Sequence, residues 1–554
     1  MKKSLLLVCF AALLSFAAQA QYINSLTFQN YFTKTQVDSV LNSLLGSQAT
    51  SVLVPVYGVK IYNVQYNTFD ADSNPTTASG MLVVPVGVPC EVPLLSFGHN
   101  NILRKTDAPS YYGFDSQWFI ALAAGSMGLI TVMPDGLGLG DGPGIHPFLH
   151  LQTEATSTID MIRAVKEVVD TTGTSPNEQL FLAGIAEGAY SAVATHQYIQ
   201  TYVDSAEMHV TATGAIAGYY DMGGTMVDMI LSDSTYKDPS YLPELLLSYD
   251  SIYHFFANDS DIMAYPYDSV IPPLFNGINR ANAIDNHLPS VPKYILRQDQ
   301  IDSLQNDSTN FIRVLLEKNN AYNWTPTSPV YLMYCIADEY VPYQNSIVAY
   351  NHFVQNGSTM VDTLDVGATD DHALCSQFSV LVAVSLIKQL IHQPLVTNVH
   401  ATNDSSTAIP NGTATATATQ GDPPYTFVWS NNDSTATITG LAAGTYYVTV
   451  TDRAHCTNTD SVVVQLVDGI SELTLANINV YPNPTQGMLM IENRSTEVLT
   501  QIEITDIDGH VVNAPHTDNG NITKINLGEE AKGVYFLTIH SQSGKELHRK
   551  VVLI

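Results

Sequence analysis

The chain has 554 residues, enough for three or four domains, and 45% of them are hydrophobic, which describes a globular protein with a substantial core. Its 22 Lys and Arg stand against 52 Asp and Glu, a formal net charge of −30. So anionic a surface repels nucleic acid and acidic lipid headgroups, which argues against nucleic-acid binding.

Met1 to Ala20 reads as a secretory signal peptide: Lys2 and Lys3, an apolar run from Leu5 to Ala18, then Ala18-Gln19-Ala20 as a small-x-small cleavage site. The mature chain is expected to begin near Gln21. Its apolar core is short for a membrane span, and no other stretch is expected to cross one. Cys9 lies too early for a lipoprotein cleavage site. Processing leaves Cys90, Cys335, Cys375 and Cys456. Four cysteines in this length make no disulfide framework; there is room for one bridge, whose pairing is not legible. The spacings match no zinc pattern, and neither a metal nor a cofactor is expected.

In chain order, residues 21 to about 50 suggest an amphipathic helix around Thr35 to Leu45. Val54 to Thr68 and Ser79 to Val88 alternate like hairpin strands. Val92 to Phe97 is a buried strand leading into Gly98-His99-Asn100-Asn101. Gly128 to Met133 is another, followed by a loop with Gly136, Gly138, Gly140, Gly142 and Gly144. This loop lacks the Lys-Ser/Thr of a phosphate-binding P-loop. A helix is predicted from about Thr153 to Asp170, with Ala155, Ile159, Ile162, Val165 and Val169 on one face. Glu178 to Ala183 is a buried strand, a helix follows from Tyr190, and Gly214 to Tyr220 is a further strand. Residues 222 to 325 lose this alternation and are rich in Tyr, Leu and Asp; they read as inserted helices capping a site or extending the core. The alternation returns with a strand at Val330 to Ile336, a helix from about Asn345 to Val354, a strand near Val361 to Val366 and a last helix from Gln377 to Gln393. Strands alternating with helices imply a mostly parallel sheet covered on both faces, an α/β class.

Between strand and helix lies Gly184-Ile185-Ala186-Glu187-Gly188. It resembles the nucleophile elbow of α/β-hydrolases, G-x-S-x-G, in which two glycines flank a residue held in a strained conformation. Ala186 stands where that resemblance expects serine, and a methyl group cannot attack a carbonyl. With Pro134-Asp135-x-x-Gly138-x-Gly140, His146-Pro147, Asp338-x-x-Val341-Pro342 and His372, residues 21 to 395 resemble secreted α/β-hydrolases of the secretory-lipase type. The resemblance implies an acid at Asp338 and a base at His372, following the nucleophile position in that order. It also implies an oxyanion hole from the Glu187 N–H and an N–H of the Gly98 to Asn100 loop, at His99 or Asn100. Asp370 and Asp371 are rival partners for His372. Glu187, Ser191 and Cys375 are the candidate substitute nucleophiles, all disfavoured by elbow geometry.

From about 397 the composition turns to Thr, Ala, Asn and Ser, and short alternating strands with glycine turns suggest a small β-sandwich. Its Gly421-Asp422-Pro423-Pro424-Tyr425 and Gly440-Leu441-Ala442-Ala443-Gly444-Thr445-Tyr446 segments make 397 to 467 similar to the repeat of SprB-type gliding adhesins. A third module opens at Val480-Tyr481-Pro482-Asn483-Pro484 and contains Gly533-Val534-Tyr535-Phe536. Residues 478 to 554 resemble the type A C-terminal sorting domain of type IX secretion, which implies the type IX machinery as partner and an address outside the outer membrane or on the cell surface.

These readings lead to a secreted protein of esterase or lipase ancestry that binds a hydrophobic or ester-like small molecule with little or no turnover. The alternatives are an active serine-type carboxylesterase, lipase or peptidase using another nucleophile, and a surface adhesin or display protein whose working part is 397 to 467. The bland reading of that module is a spacer.

Overall fold

A computed structural model describes residues 22–49, 53–113, 117–391, 395–405, 409–467 and 477–554. The signal peptide and its cleavage site, with Gln393 at the expected end of the last helix, lie outside the described residues.

The chain divides into two compact units: residues 1–396 with 418–426 and 450–458, and residues 397–417, 427–449 and 459–554. The first is built on a nine-stranded sheet. Its strands are β1 (Ile23–Phe32), β2 (Gly58–Phe69), β3 (Pro75–Val86), β4 (Val92–Gly98), β5 (Ile130–Pro134), β6 (Pro176–Ile185), β7 (Ala212–Ile216), β8 (Val330–Cys335) and β9 (Val361–Gly367). They lie in the order β1-β2-β3-β5-β4-β6-β7-β8-β9. The first three strands and the β3–β5 pair are antiparallel; β5, β4 and β6 to β9 run parallel. Parallel neighbours need crossovers, and helices supply them: α2 (Phe119–Ser126), α3 (Leu151–Val168) and α4 (Glu187–Tyr202), while α1 (Lys34–Ala49) joins the antiparallel β1 and β2. The strand-poor insert carries α5 (Val227–Leu231), α6 (Tyr241–Tyr253), α7 (Tyr267–Val270), α8 (Ala281–Asp285), α9 (Gln298–Asn306) and α10 (Phe311–Lys318), and the body closes with α11 (Gln344–Gln355) and α12 (His372–Leu390).

Alternation along the strands divides the core. Leu82, Val84 and Leu94 join Ile159, Ile162 and Val165 of α3 in one buried cluster, while Met81, Val83 and Leu95 join Ala121 and Leu122 of α2 in another. Both faces of the sheet are therefore dry. Such a sheet orients loops rigidly at its strand ends, where the candidate site lies.

Several expectations need correction. Strand β1 was not predicted: five of its ten residues are amides or aliphatic hydroxyls (Asn24, Ser25, Thr27, Gln29 and Asn30) mixed with aromatics, and only pairing with β2 makes it a strand. Helix α2 was also missed, because Phe119-Ile-Ala-Leu-Ala-Ala is apolar all round and shows no amphipathic stripe. Strand β7 lies at Ala212–Ile216, before most of the predicted Gly214 to Tyr220. Helix α4 starts at Glu187, three residues earlier than predicted, and α12 starts at His372 rather than Gln377. By length and composition α12 could also cross a membrane, contrary to expectation; here it packs on β6, β7, β8 and β9. Finally, all four cysteines are paired, as Cys90–Cys456 and Cys335–Cys375. Partners 366 and 40 residues apart leave no local spacing to read.

The rest of the chain is antiparallel or short-stranded β structure. Strands β10 (Val396–Thr402), β11 (Gly412–Thr419) and β13 (Thr437–Leu441) form one three-stranded sheet, and β12 (Thr426–Trp429), β14 (Gly444–Thr451) and β15 (Thr457–Val464) another. Strands β16 (Ile478–Tyr481), β17 (Met488–Asn493), β20 (Ile522–Asn526) and β19 (His516–Asn519) form a four-stranded sheet; β18 (Leu499–Thr505), β21 (Gly533–Ser541) and β22 (Glu546–Leu553) form a three-stranded one. Their inward residues, among them Leu489, Ile491, Leu537, Ile539 and Val551, share one buried core.

Candidate active site at the strand ends

Strand β6 delivers its last residue, Ile185, to the sheet edge, and the chain turns there into α4. Ala186, between them, has φ 51° and ψ −108°, a left-handed conformation that L residues avoid. Its N–H donates to the Ile216 carbonyl at 2.8 Å, and the Gly188 N–H donates to the His99 carbonyl at 2.9 Å. The glycines are there for space. A Cβ on Gly184 would lie 2.2 Å from the Gly188 oxygen, and one on Gly188 would lie 2.1 Å from the carbonyl of Gly98. Three glycines thus let the end of β4, the end of β6 and the first turn of α4 pack backbone against backbone.

Asp338 follows β8 and His372 opens α12 after β9. His372 Nδ1 lies 2.8 Å from Asp338 Oδ2, and both side chains are buried. The other Asp338 oxygen accepts the N–H groups of Tyr340 (2.9 Å) and Val341 (2.8 Å), which fixes the carboxylate in its turn. Of the rivals Asp370 and Asp371, neither meets the His372 ring, which pairs with Asp338; Asp371 caps α12 by accepting the Leu374 N–H at 2.9 Å, and Glu339 accepts the backbone N–H of His372 at 2.9 Å. Cys335, the last residue of β8, is bonded to Cys375, one turn into α12. This bridge ties the element bearing the carboxylate to the element bearing the imidazole, and composition gave no sign of it.

His372 and Ile185, the neighbour of Ala186, line one cavity of about 380 Å3 together with Asn100, Gln117, Tyr241 and Tyr340. That volume falls in the range of small-molecule sites. Tyr241, which lines the cavity, belongs to the insert, and Tyr236, also from the insert, donates its hydroxyl to the Tyr340 carbonyl at 2.9 Å. Tyr340 lies with its ring centroid 5.0 Å from that of His372, and Lys237 sits 5.1 Å above the Tyr340 ring. Among the described residues no acceptor takes the Glu187 N–H at the head of α4. The Asn100 N–H points at Gln117 Oε1, 3.3 Å away, a long bond. His99 turns elsewhere: its ring nitrogens lie 2.6 Å from the Asn100 oxygen and 3.0 Å from the Asp135 oxygen. Of the two loop residues singled out in the sequence, Asn100 lines the cavity and His99 does not.

The substitute nucleophiles are accounted for as well. The Cys375 sulfur is in a disulfide and fully buried. Ser191 faces α3, with its hydroxyl 3.5 Å from that of Thr158. The Glu187 carboxylate pairs with His146 at 2.5 Å. Gln117, Tyr241 and Tyr340 were missed in the sequence: Gln117 and Tyr340 lie in loops, and Tyr241 opens α6 in an insert without rhythm, so none carries a periodic signal.

The fold is that of the α/β-hydrolases, and its solved neighbours are esterases and lipases. A Legionella pneumophila protein assigned to the hydrolases is 26% identical with a TM-score of 0.62, the match covering 67% of this chain and 98% of that one. A mutant of the rice cell wall degrading esterase LipA from Xanthomonas oryzae is 25% identical with a TM-score of 0.59, over 67% of this chain and 98% of that one. Candida antarctica lipase A in its closed state, at 15% identity, TM-score 0.50 and 67% and 82% coverage, shares the fold alone. No curated protein sequence matches the chain. Residues 479–554 match the secretion system C-terminal sorting domain, so the chain carries the address for type IX export to the cell surface or beyond.

Proposed function

We propose that residues 22–391 form an exported ligand-binding protein of esterase or lipase ancestry, in which Ala186 occupies the nucleophile position and turnover is slight or absent. One observation carries this reading: Ala186 has the strained backbone of an elbow nucleophile, φ 51° and ψ −108°, and no oxygen to attack with. The reading assigns Asp338 as the acid that orients His372, His372 as the base, and the N–H groups of Glu187 and Asn100 as the oxyanion hole. Gly184 and Gly188 keep the turn open. Loss of the nucleophile from such a triad costs on the order of 10⁶ in kcat, whereas a cavity needs no serine to bind. The Xanthomonas oryzae neighbour is a cell wall degrading esterase, which supports an ester or a related carboxylic acid as ligand. Residues 397–467 serve in this reading as a spacer.

Ala186→Ser, assayed on p-nitrophenyl esters of rising acyl length, tests it. The variant should hydrolyse at least one ester far faster than the parent protein. A folded variant inert on the whole series, or a parent protein already turning over at ordinary enzyme rates, would sink the reading.

A further inference from the structure

A second cavity, of about 30 Å3, lies against the other side of the elbow and contains chemistry the ester site does not use. It is lined by His146 of the glycine-rich loop, Glu154 of the first turn of α3 and Glu187, the first residue of α4. All three side chains are buried, and one ligating atom of each lies within 4.8 Å of the other two. The volume suits an ion with a water and is too small for an organic ligand.

Three observations indicate what belongs there. Glu187 is 3% exposed; its Oε1 meets His146 Nε2 at 2.5 Å, but its Oε2 has no donor among the described residues. The carboxyl group of Glu154 interacts with that of Glu187, and two carboxylates, both acceptors, share a dry site only with a proton or a cation between them. His146 is oriented from behind: Nδ1 lies 2.8 Å from the Leu137 carbonyl oxygen, so Nδ1 carries the hydrogen and Nε2 faces the carboxylates. That is the arrangement of a metal-ligating histidine, whose second nitrogen donates to a backbone carbonyl. The glycines behind it make the seat: a Cβ on Gly138 would lie 2.5 Å from the His146 backbone nitrogen, and one on Gly136 would lie 3.1 Å from its imidazole ring. Glu244 of α6 adds a third buried carboxyl near enough to act on both His146 and Glu187. Three carboxyls beside one imidazole can all be buried here only with protons or a cation among them.

We propose that His146, Glu154 and Glu187 form a binding site for a zinc-class divalent cation, independent of the ester cavity. One imidazole nitrogen and two carboxylate oxygens suit Zn²⁺ and poorly suit Ca²⁺, which prefers six to eight oxygens. Entry of the ion replaces the His146–Glu187 hydrogen bond. The two atoms then part from 2.5 Å to roughly 3.3 Å, as two ligands of a tetrahedral ion at ~2.0–2.1 Å require. Protons leave as the carboxyls and the imidazole take up the metal. The Ser191 hydroxyl, which also lines the cavity, is placed to hold a metal-bound water. The site joins the glycine-rich loop, α3 and α4 beside the strained Ala186.

The test uses the full mature protein. Metal content is measured as purified and after chelation, followed by calorimetric titration with Zn²⁺ and with Ca²⁺. One equivalent of Zn²⁺ should bind, Ca²⁺ should not compete, and Glu154→Gln should weaken Zn²⁺ binding at least tenfold. Asp508→Asn, in the exposed Asp506-Asp508-His510 cluster, should leave the affinity unchanged. A folded parent protein that takes up no Zn²⁺ overturns the proposal, because the carboxyls then hold protons instead. Unaltered affinity in Glu154→Gln overturns it equally. Should that variant fail to fold, anomalous scattering at the zinc edge from parent crystals decides: a peak among the three side chains upholds the site, and a peak elsewhere or none removes it.

Discussion

Two histidine–carboxylate pairs flank the elbow, and they differ in what surrounds them. His372 and Asp338 meet at 2.8 Å beside a cavity of about 380 Å3, with the carboxylate satisfied by two backbone N–H groups. His146 and Glu187 meet at 2.5 Å beside a cavity of about 30 Å3, crowded by two further carboxyls. The first pair has room for a substrate and a turn that fixes its charge. The second has no room for a substrate, and without a metal it keeps two of its carboxyls protonated because burial opposes their charge. The same two residue types therefore serve different ends, and solvent access with charge count decides which.

The largest effect expected is at the first pair. Ala186→Ser should raise ester hydrolysis by several orders of magnitude, up to the roughly 10⁶ that a triad nucleophile contributes. Adding His372→Gln to that variant should abolish the gain, whereas adding His146→Gln should leave a measurable part of it. Equal loss from both would erase the distinction between the pairs. Stopped-assay rates on the best ester provide the comparison.

Next in size is the bridge behind Asp338 and His372. Cys335→Ser with Cys375→Ser opens a closed loop of 40 residues and should cost roughly 4 kcal/mol of stability by the chain-entropy estimate. Urea unfolding would measure it. In the Ala186→Ser protein the same change should also lower the ester rate, because the imidazole loses its tether.

Gly188→Ala tests the backbone contact that both pairs share. Its Cβ has nowhere to go, at 2.1 Å from the Gly98 carbonyl, and the expected loss is about 3 kcal/mol. Thermal unfolding that is unchanged would show that the elbow relaxes more readily than its packing implies.

The smallest effect is a pH slope belonging to the second pair. In metal-free protein, burial pushes Glu154 up to about 8, helped by Glu187, and burial pushes Glu244 up to about 8 as well. Burial works against the His146 charge, yet Glu187 carries its pKa up to about 10. Desolvation likewise opposes the Glu187 charge, and the His146 imidazolium holds its pKa below the ordinary value. The raised groups bind more protons folded than unfolded, so their contribution is present at low pH and fades as pH rises. For Glu154 and Glu244 this runs from about 4.5 to about 8, and for His146 from about 6.5 to about 10. Glu187 acts in the opposite sense, losing its contribution only in acid. Stability should therefore fall as pH rises from 5.5 to 8. Glu154→Gln should flatten the slope, and saturating Zn²⁺ should reverse it, because metal binding competes with protons.

Much of the first pair was legible in the sequence. The elbow glycines lie within five residues, Asp338 follows the apolar run of β8 and His372 follows the alternating β9, so chain order places them. The second pair was only half visible. His146 stands out beside Pro147, but Glu154 lies within a helical pattern where a carboxylate reads as a solvated face, and Glu244 lies in an insert without rhythm. The disulfides were hidden for a related reason: the partners are brought together by strands β8 and β9 and by the loop at 450–458, not by spacing.

The sequence by itself determined the parallel sheet, the Gly-x-Ala-x-Gly turn around residue 186 and the export address, because each is written in residues close along the chain. Tertiary structure alone decided which loop residues face the cavity, which cysteines pair and which carboxyls are buried together. Those outcomes depend on contacts between segments tens to hundreds of residues apart, and burial, which sets both charge cost and reactivity, exists only once the segments have met.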